Sequence, residues 1–483
     1  MSNNLGPVAP NQLNYSDVLP IAIESKSQKR TFNPTNGVKF GPSATNVIRL
    51  NINSDNLWDC THSYLQVKLT NTTPVVGTAG AGAEKVGLDQ GLPWLNRLQI
   101  MSGGVELENI DSYNRLYALM LQIQGNPEQR HDLSMTHGEA SSTVAVSDDI
   151  ADSDVDASAK IATEVNKVKL DVKHSSGFFH NLGGVAGGQL AGAGAAGSSV
   201  FYNVPLMSAI LNNPKYFPLI FTNMGLDINL YLEDAINIGI YGAAAVPDYE
   251  ISDVRYHCHF VDVDRTFYDR MKSAMMASGG FLQLSGTTYR HYMDTHTGGA
   301  NHTLQISTRL KSLNALFVRP QKQITTNGLQ KYALSTGASL GMKSYQFRIG
   351  SMVYPQEPVK VSSNGVLKDD IGEAYSELRK CLGVLGTYDH NSYINADTFK
   401  LGDTYADGAG SGALREMFVA AYNFEGFAKT ATESGINVAD RALNVTCEIA
   451  RTNLDTEPVR YDIFAQTDMI IYIAANGEIS TTI

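Results

Sequence analysis

The chain has 483 residues, 43% of them hydrophobic and only 18% charged, which is enough apolar side chain for two or three domains with large cores and excludes an intrinsically disordered protein. Its net charge is -11, and no Lys/Arg run is long enough to track phosphates, so direct nucleic-acid binding is disfavoured. The 43 glycines suit a protein of many strands whose turns need φ > 0.

The N-terminal stretch MSNNLGPVAPNQLNYSDVLP lacks a basic region followed by an apolar one. No run of about 18 apolar residues occurs. The chain therefore reads as soluble, made in the cytosol without a signal peptide. Residues 1–44, rich in Asn, Pro, Ser and Gly, read as an extended arm. Alternation then begins: Ile48, Leu50 and Ile52 face one way and Arg49, Asn51 and Asn53 the other, and Leu65, Val67 and Leu69 repeat the pattern. In LQIMSGGVELEN, Ser-Gly-Gly between two short alternating runs predicts a hairpin.

Helical spacing takes over in DSYNRLYALMLQIQGNP. Tyr113, Leu116, Tyr117 and Met120 share a face, Asp111 or Ser112 serves as N-cap, and Gly125 and Pro127 stop the helix. From about 133 to 200 the chain is rich in Ala, Gly, Ser and Asp, which predicts surface loops or segments shaped by neighbouring subunits. Ile228, Leu230 and Leu232 then mark another strand.

The stretch DYEISDVRYHCHFVDVD packs two histidines around a cysteine. On a strand, Val254, Tyr256, Cys258 and Phe260 share one face and Arg255, His257, His259 and Val261 the other, so the cysteine points away from both imidazoles. A zinc site needs about four converging donors. Cys60, Cys381 and Cys447 are scattered and form no C-x-x-C pair, so no metal ligand is assigned. Four dispersed cysteines fit a reducing compartment, in which the sequons at Asn71, Asn301 and Asn444 are incidental.

RTFYDRMKSAMMASGG predicts a linking helix ending at Gly279 and Gly280. Alternating strands resume, and Ile371, Ala374, Tyr375, Leu378, Leu382 and Leu385 fall at helical spacing before a second glycine-rich loop, LGDTYADGAGSGA. The second half echoes the first: DINLYLE from Asp227 matches NVTCEIA from Asn444 in alternation, and YEISDVRYHCHFVDVD from Tyr249 matches YDIFAQTDMIIYIAAN from Tyr461. The expected class is all-β, two tandem jelly-roll sandwiches with short helices and long Gly-rich loops. The expected division is an arm over 1–44, a first jelly roll over 45–264, a linker helix over 265–280 and a second jelly roll over 281–483.

Catalytic signals are weak. GASLG, Gly337 to Gly341, has the G-x-S-x-G spacing around Ser339, but a strand and not a helix follows, and His390 is the only later histidine. The acid pairs Asp262/Asp264 and Asp369/Asp370 read as a strand end and a helix start. No phosphate loop, H-E-x-x-H helix or EF-hand loop occurs. The chain reads as a non-enzyme with no catalytic residue and no cofactor.

Three segments carry a resemblance: VPLMSAILNNPKYFPLIFTNMGLDINLYLED, KSYQFRIGSMVYPQEPV (Lys343 to Val359) and NFEGFAKTATESGINVADRALNVTCEI (Asn423 to Ile449). Their order and spacing are similar to those of the double jelly-roll major capsid proteins of the polinton-like virus and virophage branch, over most of 45–483. The resemblance implies a structural protein of a DNA virus, a homotrimer of pseudo-hexagonal outline that tiles an icosahedral shell. It also implies neighbouring capsomers, penton and minor capsid proteins as partners, and in some relatives an inner membrane. The arm, 1–44, is then a candidate clamp between subunits that orders on assembly, the alternative being a disordered tail. The rival class is a β-sandwich adhesin or carbohydrate-binding protein, for which the two tryptophans, Trp58 and Trp94, are few.

Overall fold

The structure, a computed structural model, describes residues 25–72, 92–124, 199–240, 248–277, 279–322, 339–365, 369–382, 417–426, 435–439, 443–452 and 458–483, with a few short pieces between them. Residues 1–24, most of the glycine-rich stretch 133–200 and the loop 401–413 lie outside the described residues.

Among the described residues, eight principal strands frame the first module, with shorter ones beside them: β1 (Ser25–Phe32), β2 (Val47–Ile52), β3 (Leu57–Asn71), β4 (Leu95–Ser102), β5 (Val105–Ile110), β6 (Ser199–Val204), β7 (Leu226–Leu232) and β8 (Tyr249–Val263). They form two antiparallel sheets ordered β1-β8-β3-β6 and β2-β7-β4-β5. Eight more frame the second: β9 (Phe281–Thr297), β10 (Asn301–Ile306), β11 (Leu313–Lys322), β12 (Met342–Ile349), β13 (Met352–Lys360), β14 (Ala420–Asn423), β15 (Val445–Arg451) and β16 (Pro458–Ala474), to which the short strand Ile479–Thr482 pairs. Their sheets run β9-β16-β11-β14 and β10-β15-β12-β13, the same order strand for strand. This is the eight-stranded, two-sheet jelly roll, made twice. In each module a helix follows the fifth strand: α1 (Tyr113–Gln124) in the first and α3 (Ile371–Cys381) in the second. The modules are joined by α2 (Arg265–Ala277), which ends where Gly279 and Gly280 take φ of +92° and +89°.

The alternating residues do what their period demands. Ile48, Leu50, Ile52, Leu65, Val67 and Leu69 are all buried between the sheets of the first module, and their polar neighbours point outward. Gly103 and Gly104, at φ +57° and +84°, close the β4–β5 hairpin, in which Ser102 pairs with Val105. Trp58 is a core residue: its ring meets Tyr256 and Phe217 edge-on at 6.2 and 6.4 Å, and its indole N–H donates to Ser63 Oγ at 2.8 Å. Trp94 is buried against Tyr202. Neither indole forms a sugar-stacking surface.

One element corrects the sequence reading. Ser25–Phe32, inside the segment read as an arm, is the first strand of the first sheet and pairs with β8 from Ser25↔Val263 to Phe32↔Tyr256. Its sequence, SKSQKRTF, is exposed along all but the last residue. It therefore shows no apolar alternation, and main-chain pairing holds it in place.

Candidate functional site

A set of buried polar side chains lies where the two modules meet. There α1 of the first module rests on the outer face of the β9-β16-β11 sheet of the second, and β5 meets the edge strand β9. Strand alternation on β16 sets up the contact: Tyr461 turns inward to bond His302 of the opposite sheet, and the next residue, Asp462, turns outward into the joint.

Asp462 is 1% exposed. Its carboxylate accepts from Arg115 Nη1 of α1 at 3.1 Å, Arg460 Nη2 at 2.7 Å and His291 Nε2 at 2.9 Å. Arg115 Nη1 also donates to Gln321 Oε1 of β11. Burial alone would push the Asp462 carboxyl up, but the Arg115 guanidinium, the His291 hydrogen bond and Arg460 together hold it well below the ordinary aspartate range. It is an anion with its acceptor sites filled.

A second carboxylate, Glu108 of β5, is also 1% exposed. It accepts from the hydroxyls of Ser208 and Thr288 and from the Ala209 N–H at 3.0 Å. Burial wins over these hydrogen bonds, and its pKa is raised. Thr288 belongs to β9, so Glu108 ties the modules together as well. Around the two acids, Arg319 Nη2 donates to Gln122 Oε1 at 2.8 Å, Arg290 Nη1 to the Asn109 carbonyl at 3.1 Å, and Asn213 Nδ2 to the Ser285 carbonyl at 2.9 Å. At Gly286 the backbones approach so closely that an added Cβ would lie 2.7 Å from the Ala209 oxygen. Such a joint, polar and hydrogen-bonded across its breadth, fixes the relative orientation of two modules.

The residues singled out in the sequence are placed elsewhere. Cys258 faces the core with Val254, Tyr256 and Phe260 as alternation requires, and burial pushes its thiol up. His257 is held by Thr31 Oγ1 at 3.0 Å and Gln66 Oε1 at 3.1 Å, a cross-strand arrangement, and burial lowers its pKa. His259 lies edge-on to His62 at 6.0 Å, and His62 Nδ1 bonds Asp59 at 2.8 Å. Among the described residues, no three His, Cys, Asp or Glu side chains converge as metal ligands. Ser339 sits in the turn ahead of β12, where its carbonyl accepts the Met342 N–H, and the chain continues as a strand. Asp264 bonds the Thr266 hydroxyl at the start of α2. Asp369 bonds Ser363, whose hydroxyl and N–H hold the carboxyl low. Asp370 occupies the N-cap position of α3.

Sequence reasoning missed the joint. Arg115 and Asp462 are 347 residues apart, and Glu108 and Thr288 are 180 apart. The available signal was an acid at a position next to an inward-facing apolar run, in YDIFA and VELEN.

No protein-family model and no curated protein matches the sequence. Solved structures match along nearly the whole chain. The Faustovirus major capsid protein aligns at a TM-score of 0.57 and 11% identity, covering 95% of this chain and 92% of its own. PBCV-1 VP54, fitted into a cryo-EM reconstruction of the virophage Sputnik, aligns at 0.55 and 9%, covering 97% and 99%. A chain of the Sputnik virophage cryo-EM structure aligns at 0.53 and 12%, covering 100% and 95%. With the same strand order made twice and these alignments end to end, the chain has the double jelly-roll fold, the fold of these viral capsid structures.

Proposed function

We propose that the protein is a structural major capsid protein that forms homotrimeric, pseudo-hexagonal capsomers and tiles an icosahedral virion shell. The observation that carries this reading is the end-to-end alignment with the Faustovirus major capsid protein, which leaves no large part of either chain unmatched. Physics supports it as well. Two equivalent modules fused in one chain let a threefold object fill a sixfold position, and a fixed joint such as the one around Asp462 holds them at the constant angle that a lattice requires. The protein would then work in the virion beside neighbouring capsomers, penton and minor capsid proteins. Its working division would be a first jelly roll from Ser25, a linker helix over 265–280 and a second jelly roll over 281–483, with the clamp role left to residues 1–24.

The test is native mass by light scattering after size exclusion, followed by negative-stain imaging of the peak. A particle of about 157 kDa, three times the 52.4 kDa chain, with a hexagonal outline is expected. A folded 52.4 kDa monomer that binds glycans would overturn the reading in favour of an adhesin.

A further inference from the structure

The alternation that turns Asp462 out into the joint turns Tyr461 in, and at that end of the second module it gathers another set of ionisable groups. Asp294 and His296 of β9, His302 of β10, Arg451 of β15 and Tyr461 of β16 all occupy inward-facing register positions. They surround the turn from β9 to β10, in which Gly298 and Gly299 take φ of +64° and +96°. His302 is 2% exposed and Arg451 3%.

The contacts of His302 fix its proton. Nε2 lies 2.8 Å from the Gly298 carbonyl, which can only accept, so the ring carries its hydrogen there. Nδ1, 2.7 Å from the Tyr461 hydroxyl, is then the acceptor, and the hydroxyl donates. One neutral imidazole thus ties the turn to the opposite sheet. His296 stacks on it, with ring centroids 4.7 Å apart and planes at 19°, and His296 Nε2 lies 3.3 Å from Asp294 Oδ2. A second proton on His302 would break this set. Its Nδ1–H would face a hydroxyl that has to turn its own hydrogen away, and Arg451, which acts on that hydroxyl, has no acceptor to offer. The charges would fall out of balance as well. With both rings neutral, Arg451 faces one anion, Asp294; with His302 charged, two cations face it, and Cys447, whose thiol burial pushes up, supplies no further anion.

We propose that His302 is an acid-operated latch on the β9–β10 corner: neutral, it pins the turn to Tyr461; protonated, it releases the turn, and the corner opens. Burial lowers the His302 pKa below the ordinary 6.5, with Arg451 and His296 acting in the same sense and the Gly298 carbonyl and Asp294 against them. The latch therefore contributes in full above 6.5, and its contribution is lost as pH falls through the folded value. The Asp462 carboxyl is held below 3.8, so mild acid releases this corner while the joint between the modules stays closed. β9 begins beside α2 and ends at the corner, which places the released turn at the end of the module away from the linker. The latch lies within one chain and works whether or not copies assemble.

The experiment uses the full chain. Backbone hydrogen exchange, read by mass spectrometry and corrected for the intrinsic rate, is compared at about pH 7.5 and about pH 5, and exchange at the imidazole C2–H reads the protonation of each histidine. Peptides covering Thr297 to Thr303 are expected to lose protection, with an opening constant that rises by up to about tenfold per pH unit below 6.5, the limit for one proton. Peptides of α1, over the Asp462 joint, should stay protected. His302→Gln keeps a donor and an acceptor but takes up no proton, so its corner should stay closed at both pH values. His296→Gln removes the stacked ring and frees Asp294, so the C2–H titration of His302 should move upward; this variant keeps the test open if His302→Gln fails to fold. A wild-type corner equally protected at both pH values overturns the proposal, as does a corner that loosens equally in His302→Gln or a His302 midpoint unmoved in His296→Gln.

Discussion

Replacing Arg115 by methionine tests whether the internal joint carries energy. The substitution removes the first-module partner of Asp462 and leaves Arg460 and His291, both from the second module, on the carboxylate. A hydrogen bond to a charged group contributes about 1.5–3 kcal/mol. Outright breakage of a buried pair costs about 3–5 kcal/mol, but here the acid keeps two donors. Methionine retains the packing of the arginine stem, so the expected loss is about 2 kcal/mol. Asp462→Ala is harsher, because it leaves Arg115 and Arg460 together without the carboxylate that both of them bond, and it should cost about 3–5 kcal/mol. Urea unfolding at fixed protein concentration provides the assay. Both tryptophans, Trp58 and Trp94, belong to the first module, so fluorescence follows that module and circular dichroism follows both. In the wild type the two signals should coincide; in Arg115→Met they should separate. A variant within about 0.5 kcal/mol of wild type, with coincident transitions, would refute the argument that this ion pair couples the modules.

The two buried acids make opposite predictions about pH. Asp462 has its pKa depressed below the ordinary 3.8, so its stabilisation is present above that value and is lost as pH falls through the folded pKa; Asp462→Asn should flatten the acid limb of a stability–pH curve. Glu108 has its pKa raised above 4.5, so its contribution is present below 4.5 and is lost as pH rises through the folded value; Glu108→Gln should remove that decline. Gly286→Val places a side chain against the Ala209 carbonyl and should destabilise by about 1–3 kcal/mol, read as a lowered urea midpoint. Burial raises the thiols of Cys60, Cys258 and Cys447, so a disulfide reagent at pH 8 should label them no faster than the protein unfolds; prompt labelling of three thiols per native chain would contradict the core.

Most of the fold could be read from period alone. The run Ile48, Leu50, Ile52 declares its inner face, and the echo of DINLYLE in NVTCEIA predicts what the topology contains: β7 and β15 hold the same place in their sheets, as do β8 and β16. What escaped was of two kinds. β1 has no inner face that differs from its outer one, so hydrophobicity is silent and only pairing with β8 defines it. The joint escaped because a buried carboxylate on a strand looks like any solvated acid until the element that covers it is known. Asp462 and Asp262 are both acids next to apolar residues, yet the first is sealed under α1 and the second is exposed.

Fusing the modules through α2 also separates two events in time. The Arg115–Asp462 joint closes within one chain, where a short tether holds the partners at millimolar effective concentration, so it forms at any dilution and in the order the ribosome dictates. A joint between chains enjoys no tether and must wait for the chain to accumulate. Surfaces left open during that wait are safer polar than apolar, because an apolar sheet edge at micromolar concentration would pair with whatever it met. On β1, which is exposed along nearly its whole length, Lys26, Lys29 and Arg30 stand where apolar residues would invite such pairing.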